Sequence, residues 1–321
     1  MKVSIRDLSK MTGFSPATIS NALNHKKGVN RETAEEIFRV ARETGYLSAN
    51  AVTKIRLVIF KKNGQILEET PFFQQMIEGI EEECHRLGYE MVISHVDQRN
   101  PNYQKQVRDL LEEQGVGIIL LGTEMMDGDL SLYRNASCPV LLLDHWTELM
   151  DFNSVLINNA DAARAITEHL LDNGHREVGY LRGNYRIKAF RSRFIGFQTA
   201  LKKYKVPYKE EYTVTVGTYM STACQDMLEY LKKKPKLPTA FFADNDIIAL
   251  GAMKALQEMG YRIPEDISIV GFDDLTFSEI SSPPLTTLRV EKREMGKMAV
   301  RRLVELIDGI GTSTVTKIQV C

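Results

Sequence analysis

The sequence predicts an all-α helix-turn-helix head of three short helices, followed by a larger α/β body with two lobes built on parallel sheets. Capping residues and glycine breaks delimit three helices within the first fifty residues. From Ile55 onward, uninterrupted apolar runs alternate with amphipathic stretches, a pattern typical of parallel strands covered by helices on both faces. The 321 residues suffice for two or three domains, and the number of strands favours two lobes over one sheet.

The first two helices of the head are marked by their N-terminal residues. Ser4 is a good N-cap, and Asp7 three residues later completes a pattern like the capping box. Gly13 ends this helix. Ser15 then caps a second helix, and Pro16 occupies its first position, where a missing N–H is tolerated.

A third helix begins after Asn30 and ends at Gly45. Apolar side chains recur at helical spacing in the last two helices: Ile19, Ala22 and Leu23, then Ala34, Ile37, Val40 and Ala41. Two short helices joined by a tight glycine-containing turn, with a third in support, form a helix-turn-helix.

The second helix carries small polar side chains that can approach a DNA groove closely. Asn21 can pair with adenine and Ala17 can pack on a thymine methyl group, whereas Ser15, Thr18 and Ser20 can bind phosphates. The predicted DNA-binding residues are Ser4, Ser15, Pro16, Ala17, Thr18, Ser20, Asn21, Asn24 and Asn30. The alternative from pattern alone is a three-helix interaction module with a polar surface.

The head resembles the DNA-binding head of the LacI/GalR repressor family. The resemblance rests on VSIRDLSK at residues 3–10, GFSPATISNALN at 13–24, VNRET at 29–33 and the Gly45-Tyr46 pair. It implies sequence-specific DNA binding, with base contacts on Pro16, Ala17 and Asn21.

One segment departs from that family. Its members follow the Gly-Tyr pair with a hinge helix whose leucine wedges into the minor groove. Here residues 45–56 read GYLSANAVTKIR, which is shorter and has no leucine at the expected place. Either Ile55 substitutes for the leucine or the minor-groove contact differs, and Lys54 and Arg56 either touch phosphates or form a solvated linker. We therefore predict a head at 1–48, a hinge at 49–56 and a two-lobed effector-binding and dimerisation domain at 57–321.

The body contains eight predicted strands with amphipathic helices between them. The strands are Ile55–Phe60, Glu90–His95, Gly117–Leu121, Val140–Leu143, Val178–Leu181, Tyr212–Val216, Thr239–Phe242 and Ser268–Phe272. The helices are Phe73–Leu87, Ala160–Asn173, Phe190–Lys203, Thr222–Lys234 and Ile247–Met259. Ligands of such folds bind beyond the carboxyl ends of the strands, here in a cleft between lobes.

The body is similar to the same family, which implies a periplasmic-binding-protein-like domain. The similar segments are INN at 157–159, HLL at 169–171, GHR at 174–176, RFIGF at 193–197, ND at 245–246, IPEDISIVGFDD at 263–274 and PLTTL at 284–288. No heptad tail follows, so a homodimer is expected rather than a tetramer held by a coiled coil.

Matching positions imply a set of effector-binding residues. The Arg193 guanidinium would donate two parallel hydrogen bonds to ligand hydroxyls, and Asp273 would accept from hydroxyls. Aromatic rings would pack on a sugar face. The full set is Phe72, Phe73, Asp144, Arg193, Tyr219, Asn245 and Asp273. Each has a structural alternative. Arg193 can cap a helix or pair with a surface acid, the two phenylalanines can belong to the core, and Asp273 can form an Asx-turn.

The sequence predicts a cytoplasmic transcription regulator, most simply a repressor, under allosteric control by a small polar effector such as a carbohydrate. Its partners would be a pseudo-palindromic double-stranded operator and a second copy of itself. No secretory signal, long apolar span, metal-ligand spacing or nucleotide-binding motif is present, so we expect no membrane association, no metal, no cofactor and no enzymatic activity. A basic head, net +3 over residues 1–50, precedes a body of net −4. The alternatives are control by a protein partner, a sugar-binding protein without DNA function, and an enzyme on the same lobes.

Overall fold

The computed structural model describes residues 3–23, 28–46, 52–68, 71–148, 151–309 and 314–320. Asn24, from the predicted DNA-binding set, and hinge residues 49–51 lie outside these ranges. Among the described helices, none has both the length and the apolar character needed to cross a bilayer.

The head consists of three helices, α1 (Ile5–Thr12), α2 (Pro16–Leu23) and α3 (Arg31–Glu43). The predicted capping box is confirmed, because Ser4 accepts from the Asp7 amide while the Asp7 carboxylate accepts from the Ser4 amide. Gly13 ends α1 in the left-handed conformation, with φ of 75°. Leu8, Ile19 and Ile37, one from each helix, form the centre of a small separate core.

The body contains ten strands and eight helices within the described residues, besides the strand at the C-terminal end and two 3₁₀ turns. The strands are β1 (Lys54–Lys61), β2 (Glu90–Asp97), β3 (Val116–Leu121), β4 (Val140–Leu143), β5 (Asn153–Ile157), β6 (Val178–Gly183), β7 (Thr213–Val216), β8 (Ala240–Ala243), β9 (Ser268–Asp273), β10 (Thr286–Arg289) and the terminal β11 (Lys317–Val320). The helices are α4 (Phe72–Arg86), α5 (Tyr103–Glu112), α6 (Asn159–Asp172), α7 (Lys188–Lys203), α8 (Met220–Lys232), α9 (Asp246–Glu258), α10 (Thr276–Ile280) and α11 (Lys292–Ile307).

The strands form two parallel sheets, one in each lobe. Lobe 1 has the order β11-β5-β4-β3-β1-β2, and lobe 2 has the order β10-β9-β8-β6-β7. The chain passes from lobe 1 to lobe 2 between β5 and α6 and returns between β10 and α11. Every residue of β3 and of β8 is buried, as expected for central strands covered on both faces. The predicted two-lobed parallel architecture is confirmed.

Three strands, β5, β10 and β11, were not among the predicted eight. β10 and β11 lie at sheet edges, and their partly exposed polar residues interrupt the apolar runs by which strands are found in sequence. β5 begins with Asn153 and Ser154, so only its second half is apolar.

The start of β1 also corrects the predicted linker at 49–56. The strand already begins at Lys54, and Arg56 lies within it. The Arg56 guanidinium donates to Ser94 Oγ at 2.8 Å and pairs with Glu113 at 2.6 Å. Lys54 lies 3.6 Å from Glu90. Both cations therefore form contacts within lobe 1 and do not belong to a solvated linker.

Candidate functional site

The face of α2 that was predicted to contact DNA is open to solvent. Ile19 and Ala22 are buried against the other head helices, which turns the opposite side of α2 outward. Pro16 and Ala17 are exposed and Asn21 is partly exposed. The helix thus presents a smooth surface of small side chains, compatible with close approach to a groove.

Three residues of the predicted DNA-binding set cap helices. Ser4 caps α1, Ser15 Oγ accepts from the Thr18 amide at 3.1 Å, and Asn30 Oδ1 accepts from the Thr33 amide at 2.8 Å. Ser15 Oγ also lies 2.9 Å from Thr18 Oγ1. These oxygens stabilise the helix starts. A phosphate contact by the same side chains would have to form beside these capping hydrogen bonds.

Six of the seven predicted effector-binding residues line one small cavity between the lobes, with a volume of about 30 Å³. Phe72, Phe73 and Asp144 come from lobe 1, whereas Arg193, Asn245 and Asp273 come from lobe 2. Asp144 follows β4 and Asp273 ends β9, so both sit at carboxyl ends of strands, as the topology requires.

Tyr219 does not line this cavity and corrects that part of the prediction. It is the N-cap residue of α8, and its carbonyl accepts from the Ala223 amide and the Thr222 hydroxyl. Tyr219 follows β7, as Asp144 follows β4, but its backbone forms the start of α8.

Arg193 is the most connected group of the cavity, and it is only 4% exposed. Its Nε donates to Asn159 Oδ1 at 2.8 Å, Nη1 to the Asp244 carbonyl at 2.6 Å, and Nη2 to Asp273 Oδ1 at 3.3 Å. Its guanidinium carbon lies 3.6 Å from the centre of the Phe272 ring. The guanidinium is thus held rigidly, with one face on an aromatic ring.

Both acidic residues of the cavity are held in environments that disfavour their charge. Burial raises the pKa of Asp273 to about 7, although the Arg193 charge opposes the change. Burial likewise raises the pKa of Asp144 to about 6, against the hydrogen bond from Thr123 Oγ1 at 2.6 Å. Near neutral pH these carboxyls lack the water that would solvate them, so a ligand with hydrogen-bond donors would stabilise their ionised forms.

The backbone at both acids is also unusual. Asp144 has a φ of 55° and Asp273 a φ of 121°, both in a backbone region that residues other than glycine rarely adopt. Such conformations cluster at ligand-binding sites, where surrounding structure maintains them. Around Asp273 that support comes from Lys292, whose buried ammonium donates to the Asp273 carbonyl at 2.5 Å and the Asp274 carbonyl at 3.1 Å.

The sequence did not point to Lys292, Thr123 or Asp246 as parts of the site. Asp246 is fully buried and accepts from the Leu275 amide, Ser278 Oγ and Thr287 Oγ1, which fixes the loop after Asp273. Its position directly after Asn245 at a helix start is the only signal that sequence offered. The described residues contain no group of His, Cys, Asp or Glu side chains arranged to hold a metal ion.

A larger cavity of about 280 Å³ adjoins the small one. The two share four lining residues: Thr123, Asp144, Ile157 and Ala189. The larger cavity adds an aromatic ring, three amides and a hydroxyl, supplied by Trp146, Asn158, Asn159, Gln319 and Ser192. Together they offer room for a small molecule that contacts both lobes.

Comparisons with known proteins agree with the two-lobed fold. Residues 167–320 match the model of the periplasmic binding protein-like domain. The HTH-type transcriptional repressor PurR of Mannheimia succiniciproducens is 31% identical over 307 residues, covering 94% of this chain and 91% of the relative. PurR of Haemophilus influenzae strain PittEE is 30% identical, covering 94% and 90%.

Two solved structures are similar along the whole chain. A complex of the transcriptional regulator CelR with cellobiose has a TM-score of 0.74 and 25% identity, covering 99% of this chain and 97% of its own. A Lac repressor dimer bound to operator and the anti-inducer ONPF has a TM-score of 0.70 and 25% identity, covering 100% and 97%. The chain belongs to the LacI/GalR family of transcriptional regulators.

Proposed function

We propose that this protein is a repressor that binds a pseudo-palindromic operator as a homodimer and is controlled by a sugar bound between its lobes. The observation that carries the proposal is that Asp144 of lobe 1 and Asp273 of lobe 2 line one cavity beside a rigidly held arginine. A ligand that satisfies both carboxylates must bridge the lobes. Its binding therefore favours one relative orientation of the lobes over others.

A polyhydroxylated, uncharged ligand suits this cavity best. Hydroxyl groups donate to the carboxylates and accept from amides such as Asn158, while an exposed ring such as Trp146 can pack on a sugar face. The charges of the lining are mixed, because Asp144 and Asp273 face the cations Arg193 and Lys188, which favours a neutral ligand with both donors and acceptors. The similar CelR structure is a complex with cellobiose, which supports a carbohydrate as the ligand.

In the head, α2 would enter the major groove. Asn21 would read a base, Pro16 and Ala17 would pack on base edges, and Thr18 and Ser20 would contact phosphates. We place Ser4, Ser15 and Asn30 at the phosphates through the helix starts that they cap, because a helix N-terminus attracts an anion.

An exposed apolar patch on lobe 2 supports the proposed homodimer. Met259 and Tyr261 follow α9, and Phe277 and Ile280 lie on α10; all four side chains are exposed. A hydrogen bond of 2.6 Å from Gln257 Nε2 to the Ser282 carbonyl ties the ends of these helices together. Exposed large apolar side chains on neighbouring segments are typical of a protein interface, and one similar structure is of a Lac repressor dimer.

Selection of binding sites from a random duplex library tests the DNA-binding half of the proposal. We expect a two-fold repeated sequence whose half-site centres lie about one helical turn apart, and a log–log salt slope of about −0.9 per phosphate contacted. Recovery of no duplex at all would leave a sugar-binding protein without DNA function.

A thermal-shift screen tests the effector half. The panel contains mono- and disaccharides, sugar phosphates, nucleosides and purine bases. A ligand present at about a hundred times its dissociation constant stabilises the native state by roughly 2.7 kcal/mol. We expect a neutral sugar to act and Asp273→Asn to abolish its effect. Stabilisation by a purine base would overturn the proposal that the effector is a sugar. Stabilisation by no compound of the panel would favour control by a protein partner.

A further inference from the structure

The DNA-binding head rests directly on lobe 1 of its own chain through one side of α3. Arg42 of α3 is only 7% exposed, unusual for an arginine on a small helical domain. Its Nε donates to the Leu87 carbonyl at 3.2 Å, and its guanidinium carbon lies 3.9 Å from the centre of the Tyr89 ring. Leu87 and Tyr89 belong to the turn between α4 and β2.

Two further contacts surround the buried arginine. Arg86, the last residue of α4, donates to Glu35 of α3 at 2.7 Å. Gly88 lies so close to α3 that a Cβ there would come within 2.8 Å of Arg39 Cγ and 3.1 Å of the Arg39 carbonyl oxygen. Gly88 also has a φ of 72°, so glycine is required at this point for two reasons.

The environment of Arg42 is that of an interface. Burial lowers the pKa of Arg42, while the Tyr89 ring and Asp308 at the end of α11 compensate its charge. A cation removed from water on an aromatic face binds more strongly than one at an exposed site. The contact therefore restrains the head, and α2 lies outside it with its outer face open to solvent.

Helix α4 extends from the cleft to the surface on which the head packs. α4 begins with Phe72 and Phe73, which line the small cavity, and ends at Arg86 beneath the head. Its 15 residues span about 22 Å at 1.5 Å per residue.

α4 also packs closely against α11. A Cβ at Gly79 would come within 2.1 Å of the Arg293 carbonyl, and one at Gly296 within 2.2 Å of the Met76 carbonyl. The two helices therefore cross with their backbones in close contact. Because α11 begins with Lys292, which holds the Asp273 loop, both helices run from the cleft toward the head.

We propose that the turn 86–89 is an intramolecular docking surface for the head, anchored by Arg42, which makes the head and lobe 1 one rigid unit. Movement of the cleft end of α4 is then passed to α2 as a rotation of the whole head. The docking itself requires neither DNA nor effector, and only the role given to the cleft rests on the proposed function.

Time-resolved fluorescence anisotropy of the full-length protein tests the docking in the absence of DNA and effector. A dye is attached to Met11→Cys, since residue 11 is 59% exposed on α1. Cys84 and Cys224 are buried, so only Cys138 and Cys321 are first replaced by serine. Apart from the subnanosecond motion of the dye itself, a docked head gives a single slow decay at the rotation time of the whole molecule. An undocked head adds a nanosecond component.

We expect the slow decay alone in the parent protein and a nanosecond component in both Arg42→Met and Tyr89→Leu. Arg6→Met is the matched control, because it removes one positive charge from an exposed position of the same head. It should keep the single slow decay. A nanosecond component already in the parent, or none in either variant, would overturn the proposal.

Circular dichroism checks that each variant is folded. If Arg42→Met disrupts the head, Tyr89→Leu and Glu35→Gln carry the test, because Tyr89 lies on the body side and Glu35 contributes through a partly exposed ion pair. Failure to bind DNA would refute the proposed function without altering the anisotropy result.

Discussion

The head and the cleft place their polar groups in opposite surroundings. On α2 the candidate DNA contacts are small, exposed and close to their helix caps. In the cleft the candidate effector contacts are buried, Arg193 donates to Asp273, and two carboxyls have raised pKa values. A large ligand such as DNA can be read by an open surface, whereas a small one must be recognised by desolvated groups. Substitutions of non-capping residues on the exposed face of α2 should therefore alter binding alone, and those in the cleft should alter binding and stability together.

The largest effect is expected from Arg193→Ala. The change leaves the Asp273 carboxylate, the Asp244 carbonyl and Asn159 without their donor in a buried site. Removal of one partner of a buried ion pair costs about 3–5 kcal/mol. Denaturant unfolding measures the loss, and Arg191→Ala, at an exposed position of the same helix, is the control. Equal stability of the two variants would contradict the structural role of Arg193.

The second prediction concerns the pH dependence of Asp273→Asn. The pKa of Asp273 rises from about 3.8 to about 7 on folding, so the native protein holds a proton that the unfolded chain has lost. The contribution of Asp273 to stability is therefore complete below pH 3.8 and is lost as pH rises through 7.

Relative to Asp273→Asn, the parent protein should thus lose roughly 2 kcal/mol between pH 4.5 and 8, since one pKa unit corresponds to about 1.4 kcal/mol and relaxation reduces the full effect. Parallel urea titrations of both proteins at several pH values measure the difference. A difference that stays constant or grows with pH would show that the carboxyl is not held in its neutral form.

In the head, Asn21→Ala should weaken operator binding by about 1–3 kcal/mol, the usual value of a bidentate base contact. Because Asn21 is partly exposed and caps no helix, the midpoint of unfolding should not change. Gel-shift titration with the selected operator and a scrambled duplex separates specific from nonspecific binding. Equal losses on both duplexes would make Asn21 a phosphate contact instead of a base contact.

The smallest effect is expected from Ser15→Ala, which removes the cap of α2 and should cost about 1 kcal/mol of stability. Ser15→Asp is the companion variant, since aspartate also caps helices but repels phosphate. If Ser15 contacts DNA, Ser15→Asp recovers the stability and still binds the operator poorly. Full recovery of DNA binding by Ser15→Asp would assign Ser15 to the cap alone.

Sequence reasoning succeeded where one residue type has one local physical role. Ser4, Ser15 and Asn30 were recognised as caps because their bonds reach only three residues along the chain. The polar set of the cleft was found through the family resemblance, since its members are far apart in sequence.

The hydrogen-bond partners that lie far away along the chain could not be predicted from the sequence. The role of Lys292 depends on carbonyls 18 and 19 residues away, and that of Arg42 on a turn 45 residues away. Edge strands such as β10 carry no continuous apolar run. Tyr219 shows the same limit, because its position after a strand did not reveal that it caps α8 and lies outside the lining of the small cavity.

The most direct test of coupling between the cleft and the head is an operator titration with and without the sugar that stabilises the protein best in the thermal-shift screen. We expect this sugar to change operator affinity by about 5- to 150-fold, the usual range of coupling between two sites. In Asp273→Asn the change should vanish while operator binding persists. A sugar that occupies the cleft at saturating concentration and leaves operator affinity unchanged would contradict the claim that the cleft controls the head.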